Sequence, residues 1–309
     1  MPARCGGSHA STSSWKPSGM TSWAARKMTD TTLLDTELSI LPYSPAGGAR
    51  VTGLRDDGEA LPPAIADRLR EALFQQGFLE FEPGTVSPAR FVEFLSFLGT
   101  PIPYAGPHMP SVDGSPLANA VDSARDKYLR NHIWHIDGAF RPDPPTITAL
   151  YGAAIPGLGG DTVYSNATLA YEQLDPLFAA YLDTLTAVSS AEATGHLMQR
   201  YDDPVELARQ RAKLPPIVVP VIRQHPVTGR KQIFVNESYT AYIQGVSRVT
   251  SDHLLGILFD VIKSPDVQAR YQWREGALVV WDNRVVQHRG VKDYGGSRRV
   301  LYRAALVQG

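Results

Sequence analysis

Residues His132-Ile133-Trp134-His135-Ile136-Asp137-Gly138 place a histidine and an aspartate on either side of one isoleucine. If this segment is extended, His135 and Asp137 point to the same face, because side chains alternate along a strand. The imidazole and the carboxylate can then reach one point in space and supply two ligands for a metal ion. A second imidazole from elsewhere would complete the set that is typical of non-haem Fe(II) sites. Alone, the pair is weak evidence, because His-x-Asp also occurs by chance in surface turns.

A second group of polar residues lies towards the C-terminus. An apolar segment over 277–281 runs into a polar turn that ends in His288, and Arg299 and Arg303 follow. If residues 300–307 form a strand, positions 299 and 303 share one face. Buried guanidiniums require anions, since unpaired buried charge is costly, and a guanidinium matches a carboxylate or sulfonate through paired hydrogen bonds. This pattern predicts that the two arginines face anions.

Composition and charge exclude several classes of protein. The chain has 309 residues, with 30 basic and 31 acidic side chains and a formal net charge of −1. This balance gives no argument for binding nucleic acid or an anionic membrane. The single cysteine, Cys5, excludes an internal disulfide and a thiolate zinc cluster. No apolar run reaches the roughly 18 residues that a membrane span needs, and we expect a cytoplasmic protein.

The N-terminal segment differs from the rest of the chain. Residues 1–27 carry four basic side chains, no acidic ones and many Ser, Gly and Ala. No apolar stretch of a secretory signal follows the charges, although acid-poor segments with Ser and Arg can act as transit peptides. A disordered tail, or a start codon wrongly placed upstream of Met28, is the favoured interpretation. We expect residues 1–35 to be such a tail and residues 36–309 to form one domain.

Apolar periodicity and turn residues predict helices early in the chain and strands in its second half. Helices are expected from Pro62-Pro63 to Gly77, from Ser87-Pro88, from Asn166 or Thr168 to about residue 185, and over 252–263 with Ser251 as cap. Strands are expected over 78–81, 146–151, 217–222, 232–235, 269–273, 277–281 and 300–307. Segments 100–131 and 186–214 are polar and long, which is typical of lids or binding loops.

Four pieces of the sequence together carry a resemblance to a known family. They are Trp134-His135-Ile136-Asp137, Gly159-Gly160-Asp161-Thr162, residues 225–231 with 234–237, and Trp281-Asp282-Asn283-Arg284 through Gln287-His288 to Arg298, Arg299 and Arg303. In this order they resemble the taurine dioxygenase (TauD/TfdA) family of Fe(II)- and 2-oxoglutarate-dependent oxygenases, from about residue 36 onwards. The resemblance implies a mainly β fold with flanking α-helices, a double-stranded β-helix (jelly roll) with lid insertions.

The resemblance also implies the roles of individual residues. His135, Asp137 and His288 would bind Fe(II), while Thr162 and Arg299 would hold the distal carboxylate of the co-substrate 2-oxoglutarate. Residues implied to bind the substrate are Arg303, Asn131, His108 and Tyr239. The alternative for Arg303 is a pair with a protein carboxylate or with a carboxylate of 2-oxoglutarate. No catalytic residue beyond the metal ligands is expected.

The remaining histidines and two tryptophans are expected to have ordinary roles. His132 is expected at the surface or behind the metal ligands, and His196, His225 and His253 are expected to be solvated. Trp134 and Trp281 are expected in the core.

The implied reaction consumes O2 and 2-oxoglutarate, releases succinate and CO2, and hydroxylates a small anionic substrate. That substrate would be a sulfonate, a sulfate ester, an aryloxyalkanoate or another carboxylate. The alternatives are an oxygenase of the same fold acting on a neutral or amino-acid-derived metabolite, a zinc hydrolase with two histidines and one aspartate, and a non-catalytic jelly-roll binding protein. A halogenase of this fold usually lacks the carboxylate that Asp137 supplies. Partners would be the small molecule and O2, with no nucleic acid or membrane; homo-oligomerisation stays open.

The N-terminal segment generates a first prediction. A chain that begins at Met28 should match the full chain in thermal midpoint and in turnover rate, because residues 1–27 show no apolar periodicity that could join a core. Thermal unfolding followed by circular dichroism and a rate assay compare the two chains. A large loss of either quantity on truncation would show that the segment docks on the fold.

Overall fold

The computed structural model of the protein describes residues 38–103, 110–125, 131–195, 201 and 203–308, which lie in the compact unit Glu37–Gly309. The described α-helices are α1 (Pro63–Gln76), α2 (Phe91–Phe94), α3 (Ala167–Glu172), α4 (Pro176–Leu182), α5 (Pro204–Lys213) and α6 (Arg248–Ile262). The described strands are β1 (Ser39–Ser44), β2 (Gly47–Thr52), β3 (Phe78–Phe81), β4 (Thr100–Ile102), β5 (Ser111–Val112), β6 (Ser115–Asp122), β7 (Ile147–Ala154), β8 (Thr162–Asn166), β9 (Thr186–Ser189), β10 (Ile217–Pro220), β11 (Ile222–Gln224), β12 (Lys231–Ile233), β13 (Thr240–Ile243), β14 (Gln268–Tyr271), β15 (Leu278–Asp282), β16 (Val286–Gly290) and β17 (Val300–Val307).

The main sheet of the described residues has nine strands in the order β1-β2-β3-β15-β7-β17-β6-β5, with β4 paired to β17. Strand β15 lies between β3 and β7, antiparallel to both, and all of its residues are buried. Its sequence, Leu-Val-Val-Trp-Asp, is a nearly continuous apolar run, as expected of a strand covered on both faces. On the helical side, Leu69 and Leu73 of α1 pack with Leu278 and Val280 of β15. This strand therefore carries the polar residues at its end into the interior.

A three-stranded sheet, β14-β8-β16, lies across an aromatic core from the main sheet. The rings of Trp281 on β15 and Tyr164 on β8 have centroids 5.6 Å apart, and Phe78 on β3 stacks on Tyr164 at 4.7 Å. Two sheets that enclose a core in this way agree with the mainly β jelly-roll fold that the resemblance implied. Two smaller sheets, β10-β9-β13 and β11-β12, complete the described strands.

Several predicted elements lie where the sequence placed them. Helix α1 begins at Pro63 and ends before Gly77, whose φ of 83° stops the helix. Asn166 caps α3, since its Oδ1 accepts hydrogen bonds from the backbone N–H groups of Thr168 and Leu169. That helix ends at Glu172, however, and α4 begins separately at Pro176, so the prediction of one helix to residue 185 is wrong.

The prediction that residues 100–131 form one long loop is wrong. The segment contains β4, β5 and β6, and β6 pairs with β17. Its polar residues Asn119 and Asp122 are buried, and Asp122 Oδ2 accepts a hydrogen bond from Arg298 Nη2 at 2.9 Å. The polar groups of these residues are satisfied inside the fold. A buried strand can therefore have the polar composition that is typical of a loop.

Three further boundaries differ from the prediction. Within 186–214, residues 186–189 form β9, which lies between β10 and β13 and is no lid. Helix α6 begins after Ser247, whose Oγ accepts the N–H of Thr250, whereas Ser251 lies inside the helix and accepts the N–H of Ile243. Helix α2 begins at Phe91 rather than near Pro88. None of the helices in the described part of the chain has the length and apolar character needed to cross a bilayer.

Candidate metal centre

Two histidines from distant parts of the chain are joined through their main chains. His135 N donates to His288 O at 3.1 Å, and His288 N donates to His135 O at 3.0 Å, which makes an isolated antiparallel bridge. The two imidazole rings consequently lie with centroids 4.2 Å apart. His288 lies within β16, paired with Tyr164 of β8, so the prediction that it ends a turn is wrong. The turn is shorter than the polar sequence suggested, because a hydrogen bond from Val285 N to Asp282 O already closes it.

The carboxylate of Asp137 lies beside both imidazoles. Its Oδ1 is 3.8 Å from His135 Nε2 and its Oδ2 is 3.9 Å from His288 Nε2. These distances are too long for hydrogen bonds, but they suit atoms that share one metal ion. Among the described residues these three form a group whose donor atoms all lie within 4.8 Å of one another. The structure therefore brings together the three residues that the sequence singled out.

The protonation states of this group fit a divalent cation. His135 Nδ1 lies 2.8 Å from Ile133 O, so it carries the proton and leaves the Nε2 lone pair directed at the group. Burial, reinforced by the positive charge of Arg303, lowers the pKa of His288 to about 3. Burial alone would raise the pKa of the Asp137 carboxyl, but the charge of Arg303 opposes this effect, and that pKa lies well below its usual value. Neutral imidazoles and an ionised carboxylate are the donors that Fe(II) takes.

Arg299 and Thr162 lie together, as predicted. Arg299 is only 4% exposed, and its Nη2 lies 3.4 Å from Thr162 Oγ1 while its Nε donates to Gly160 O at 2.7 Å. Trp273 Nε1 also donates to Thr162 Oγ1, at 2.9 Å. Burial lowers the pKa of the Arg299 guanidinium. A Cβ at Gly160 would lie 3.0 Å from Arg299 Cδ, and the residue has a φ of +77°, so the close approach requires glycine.

Arg303 lies on β17, between β6 and β7. Its Nη2 is 3.1 Å from Asp137 Oδ2, and the side chains of Arg303 and Asp137 are 7% and 13% exposed. The structure thus shows the alternative in which Arg303 contacts a protein carboxylate. Its role towards a substrate stays a prediction.

The other predicted substrate residues lie in different surroundings. Asn131 lines a cavity of about 440 Å³ together with Ser123, Lys292 and Arg299, and its buried Oδ1 has no hydrogen-bond partner in the described part of the chain. The ring of Tyr239 lies 4.8 Å from that of Phe140. His108 lies outside the described residues.

The prediction that His225 is solvated is wrong. Its side chain is fully buried, and Nε2 lies 2.9 Å from Asp282 Oδ2. Nδ1 accepts hydrogen bonds from Val227 N and Thr228 N, so the proton is on Nε2 and is donated to Asp282. Arg284 also donates to Asp282, through Nε at 2.8 Å and Nη2 at 2.6 Å. Three polar residues directly after the apolar run of β15 were the sequence signal for such a buried network.

Of the other expectations, His132 and His253 are exposed, and Trp134 and Trp281 are buried in the core. His196 lies outside the described residues.

Comparison with known proteins adds independent findings. The sequence model of the taurine catabolism dioxygenase TauD, TfdA family matches residues 39–305. Over 268 residues the chain is 32% identical to an alkylsulfatase of Acinetobacter baylyi, which covers 84% of this chain and 82% of that protein. Over 276 residues it is 30% identical to an alpha-ketoglutarate-dependent sulfate ester dioxygenase of Pseudomonas putida, covering 88% and 90%. The crystal structure of a taurine dioxygenase from Burkholderia xenovorans matches with a TM-score of 0.74 at 28% identity, covering 88% of this chain and 90% of that one.

The buried His225–Asp282 pair generates a second prediction. Replacing His225 with Ala should lower the free energy of unfolding by about 1–3 kcal/mol, because a buried carboxylate loses a hydrogen bond. Urea denaturation followed by circular dichroism measures the loss. The control is His253→Ala on the exposed face of α6, which should change stability by less than about 0.5 kcal/mol. Equal effects of the two substitutions would contradict a stabilising role for the buried pair.

Proposed function

Because the chain belongs to the taurine catabolism dioxygenase TauD, TfdA family, we propose that it is an Fe(II)- and 2-oxoglutarate-dependent dioxygenase that hydroxylates a small anionic substrate. Succinate and CO2 are released in the reaction. The observation that carries the proposal is the group of His135, Asp137 and His288, with donor atoms within 4.8 Å of one another.

In this proposal His135 and His288 hold Fe(II) through Nε2 and Asp137 holds it through its carboxylate. When bound, Fe(II) together with 2-oxoglutarate supplies the activation of O2 that hydroxylation of a C–H bond requires. The chain contributes fixed geometry. The main-chain bridge sets the spacing of the two imidazoles, and Arg303 keeps the buried carboxylate ionised.

Arg299 and Thr162 would bind the distal carboxylate of 2-oxoglutarate. A guanidinium buried beside a hydroxyl and a carbonyl offers N–H donors that suit a carboxylate. This pair also speaks against a zinc hydrolase or a simple binding module, since neither would need a second buried site for a dicarboxylate. The metal and the co-substrate are thus assigned to two neighbouring groups of residues.

An anionic substrate is supported by the relatives and by the charges of the site. One relative is named for sulfate esters, and another, from Burkholderia, for 2,4-dichlorophenoxyacetate. The cavity beside Asn131 is lined by Lys292 and Arg299, and by Arg298, whose charge is balanced by Asp122. A lining with this excess of positive charge suits an anion. If the hydroxylated carbon bears a sulfonate, a sulfate ester or an ether oxygen, the product breaks down to an aldehyde or a ketone. Roles for Asn131, Tyr239, His108 and Arg303 in binding this substrate, a cytoplasmic location and homo-oligomerisation stay predictions.

The metal assignment generates a third prediction. His288→Ala should abolish succinate release in the presence of Fe(II), 2-oxoglutarate, O2 and a panel of sulfonates, sulfate esters and aryloxyalkanoates, because one of three metal ligands is lost. His253→Ala, on the surface, should release succinate at the native rate. Full activity of His288→Ala would refute the assignment. Turnover by the native chain with Zn(II) and without O2 would favour the hydrolase alternative.

The co-substrate assignment generates a fourth prediction. Arg299→Gln should raise the apparent KM for 2-oxoglutarate about tenfold or more, since a charge-assisted hydrogen bond contributes about 1.5–3 kcal/mol. The KM for the substrate should change much less. Arg50→Gln is the control. Arg50 also pairs with a carboxylate of this chain, that of Glu80, but about half of its side chain is exposed and it lies on β2. An unchanged KM for 2-oxoglutarate in Arg299→Gln would contradict the assignment.

A further inference from the structure

Asn283 lies directly after β15 and is 2% exposed. Its Oδ1 accepts the N–H of Asp137 at 3.0 Å, and its Nδ2 donates to Asp137 O at 2.9 Å. Nδ2 also donates to Pro145 O at 2.8 Å. The carboxamide thus binds both main-chain groups of one residue, in the way that a neighbouring strand would.

The other two members of the metal group are held by main-chain partners. His135 and His288 bind each other's backbone, and His288 is also paired with Tyr164 inside a sheet. Asp137 lies outside the strands, at the start of the turn that follows His135. Its backbone N–H and C=O are both held by the side chain of Asn283. The main chain of Asp137 is therefore held by one amide group, while its carboxylate contacts Arg303.

We propose that Asn283 is a positioning residue for the metal centre, whose carboxamide fixes the main chain of Asp137 and so sets where the carboxylate lies. The inference rests on the proposed metal site at His135, Asp137 and His288. Removal of a group that holds a metal ligand in place typically lowers metal affinity or activity 10- to 100-fold. Asn283 touches neither the substrate nor the metal in this proposal.

The residues on either side hold Asn283 in place. Asn283 N donates to Thr146 O at 2.9 Å. Asp282 is fixed by His225 and Arg284, and its backbone N–H donates to Gly77 O at 2.9 Å. A side chain on such a rigid turn can transmit its position to the residue that it binds. This arrangement gives the buried network around Asp282 a connection to the metal centre.

Asn166 offers a matched control, because its side chain also makes three hydrogen bonds to the main chain. Its Nδ2 donates to Ala46 O, and its Oδ1 accepts from Thr168 and Leu169. It caps α3 and binds none of the three residues of the metal group. Loss of Asn166 should therefore lower stability without moving Asp137.

The experiment is an anaerobic titration of the metal-free full chain with Fe(II) alone, at a temperature where circular dichroism shows every variant to be folded. Asn283→Ala should weaken Fe(II) binding about tenfold or more, while Asn166→Ala should bind within about twofold of the native chain. If Asn283→Ala is insoluble, Asn283→Ser replaces it. The serine hydroxyl can satisfy only one of the two main-chain groups of Asp137, so weaker binding of Fe(II) is again expected.

Asp137→Ala separates failure of this inference from failure of the proposed function. If Asp137→Ala binds Fe(II) as tightly as the native chain does, the proposed metal site itself is wrong. If Asp137→Ala weakens binding but the Asn283 variant does not, only the positioning role is overturned. Equal weakening in the Asn283 and Asn166 variants would also overturn it, since the effect would then reflect general stability.

Discussion

The pair of main-chain hydrogen bonds between His135 and His288 is the constraint on which the site depends. It joins a segment outside the sheets to β16, and β16 is held by β8. The imidazoles are then adjacent because their backbones are, and Asp137, two residues beyond His135, faces both of them. The buried ring of Trp281 packs against the imidazole of His288, with ring centroids 4.6 Å apart. Backbone pairing thus brings these distant residues together.

The charged side chains around this bridge are largely shielded from solvent. Moving an ion out of water is costly unless a partner of opposite charge is near, and Asp137 and Arg303 are 3.1 Å apart. Burial keeps His288 neutral, with a pKa of about 3. Arg299, slightly more buried than Arg303, is instead held by a carbonyl and a hydroxyl. The two arginines therefore have different surroundings, although they lie four residues apart in the sequence.

The sequence predicted what depends on local pattern and on motif order. Helix α1, with Gly77 at its end, follows from apolar periodicity, and the buried strand β15 follows from its nearly continuous apolar run. The grouping of His135 with His288 came from the resemblance alone, because no local pattern encodes a bridge between such distant segments. Strand β6 and the buried state of His225 escaped prediction for a shared reason. In both, polar side chains are satisfied inside the fold by partners far along the chain, and composition alone reads such residues as solvated.

The complete burial of β15 also bears on how errors in folding could be recognised. A strand that slips by one residue turns every side chain to the opposite face. Such a slip in β15 would move Trp281 away from the aromatic core and Asn283 away from Asp137 at the same time. A misregistered chain would then lack the ordered carboxylate, and a metal ion would stabilise only the correct pairing, because ligands stabilise the state that binds them. Metal binding would in this way favour the native register of β15 over the shifted one at equilibrium.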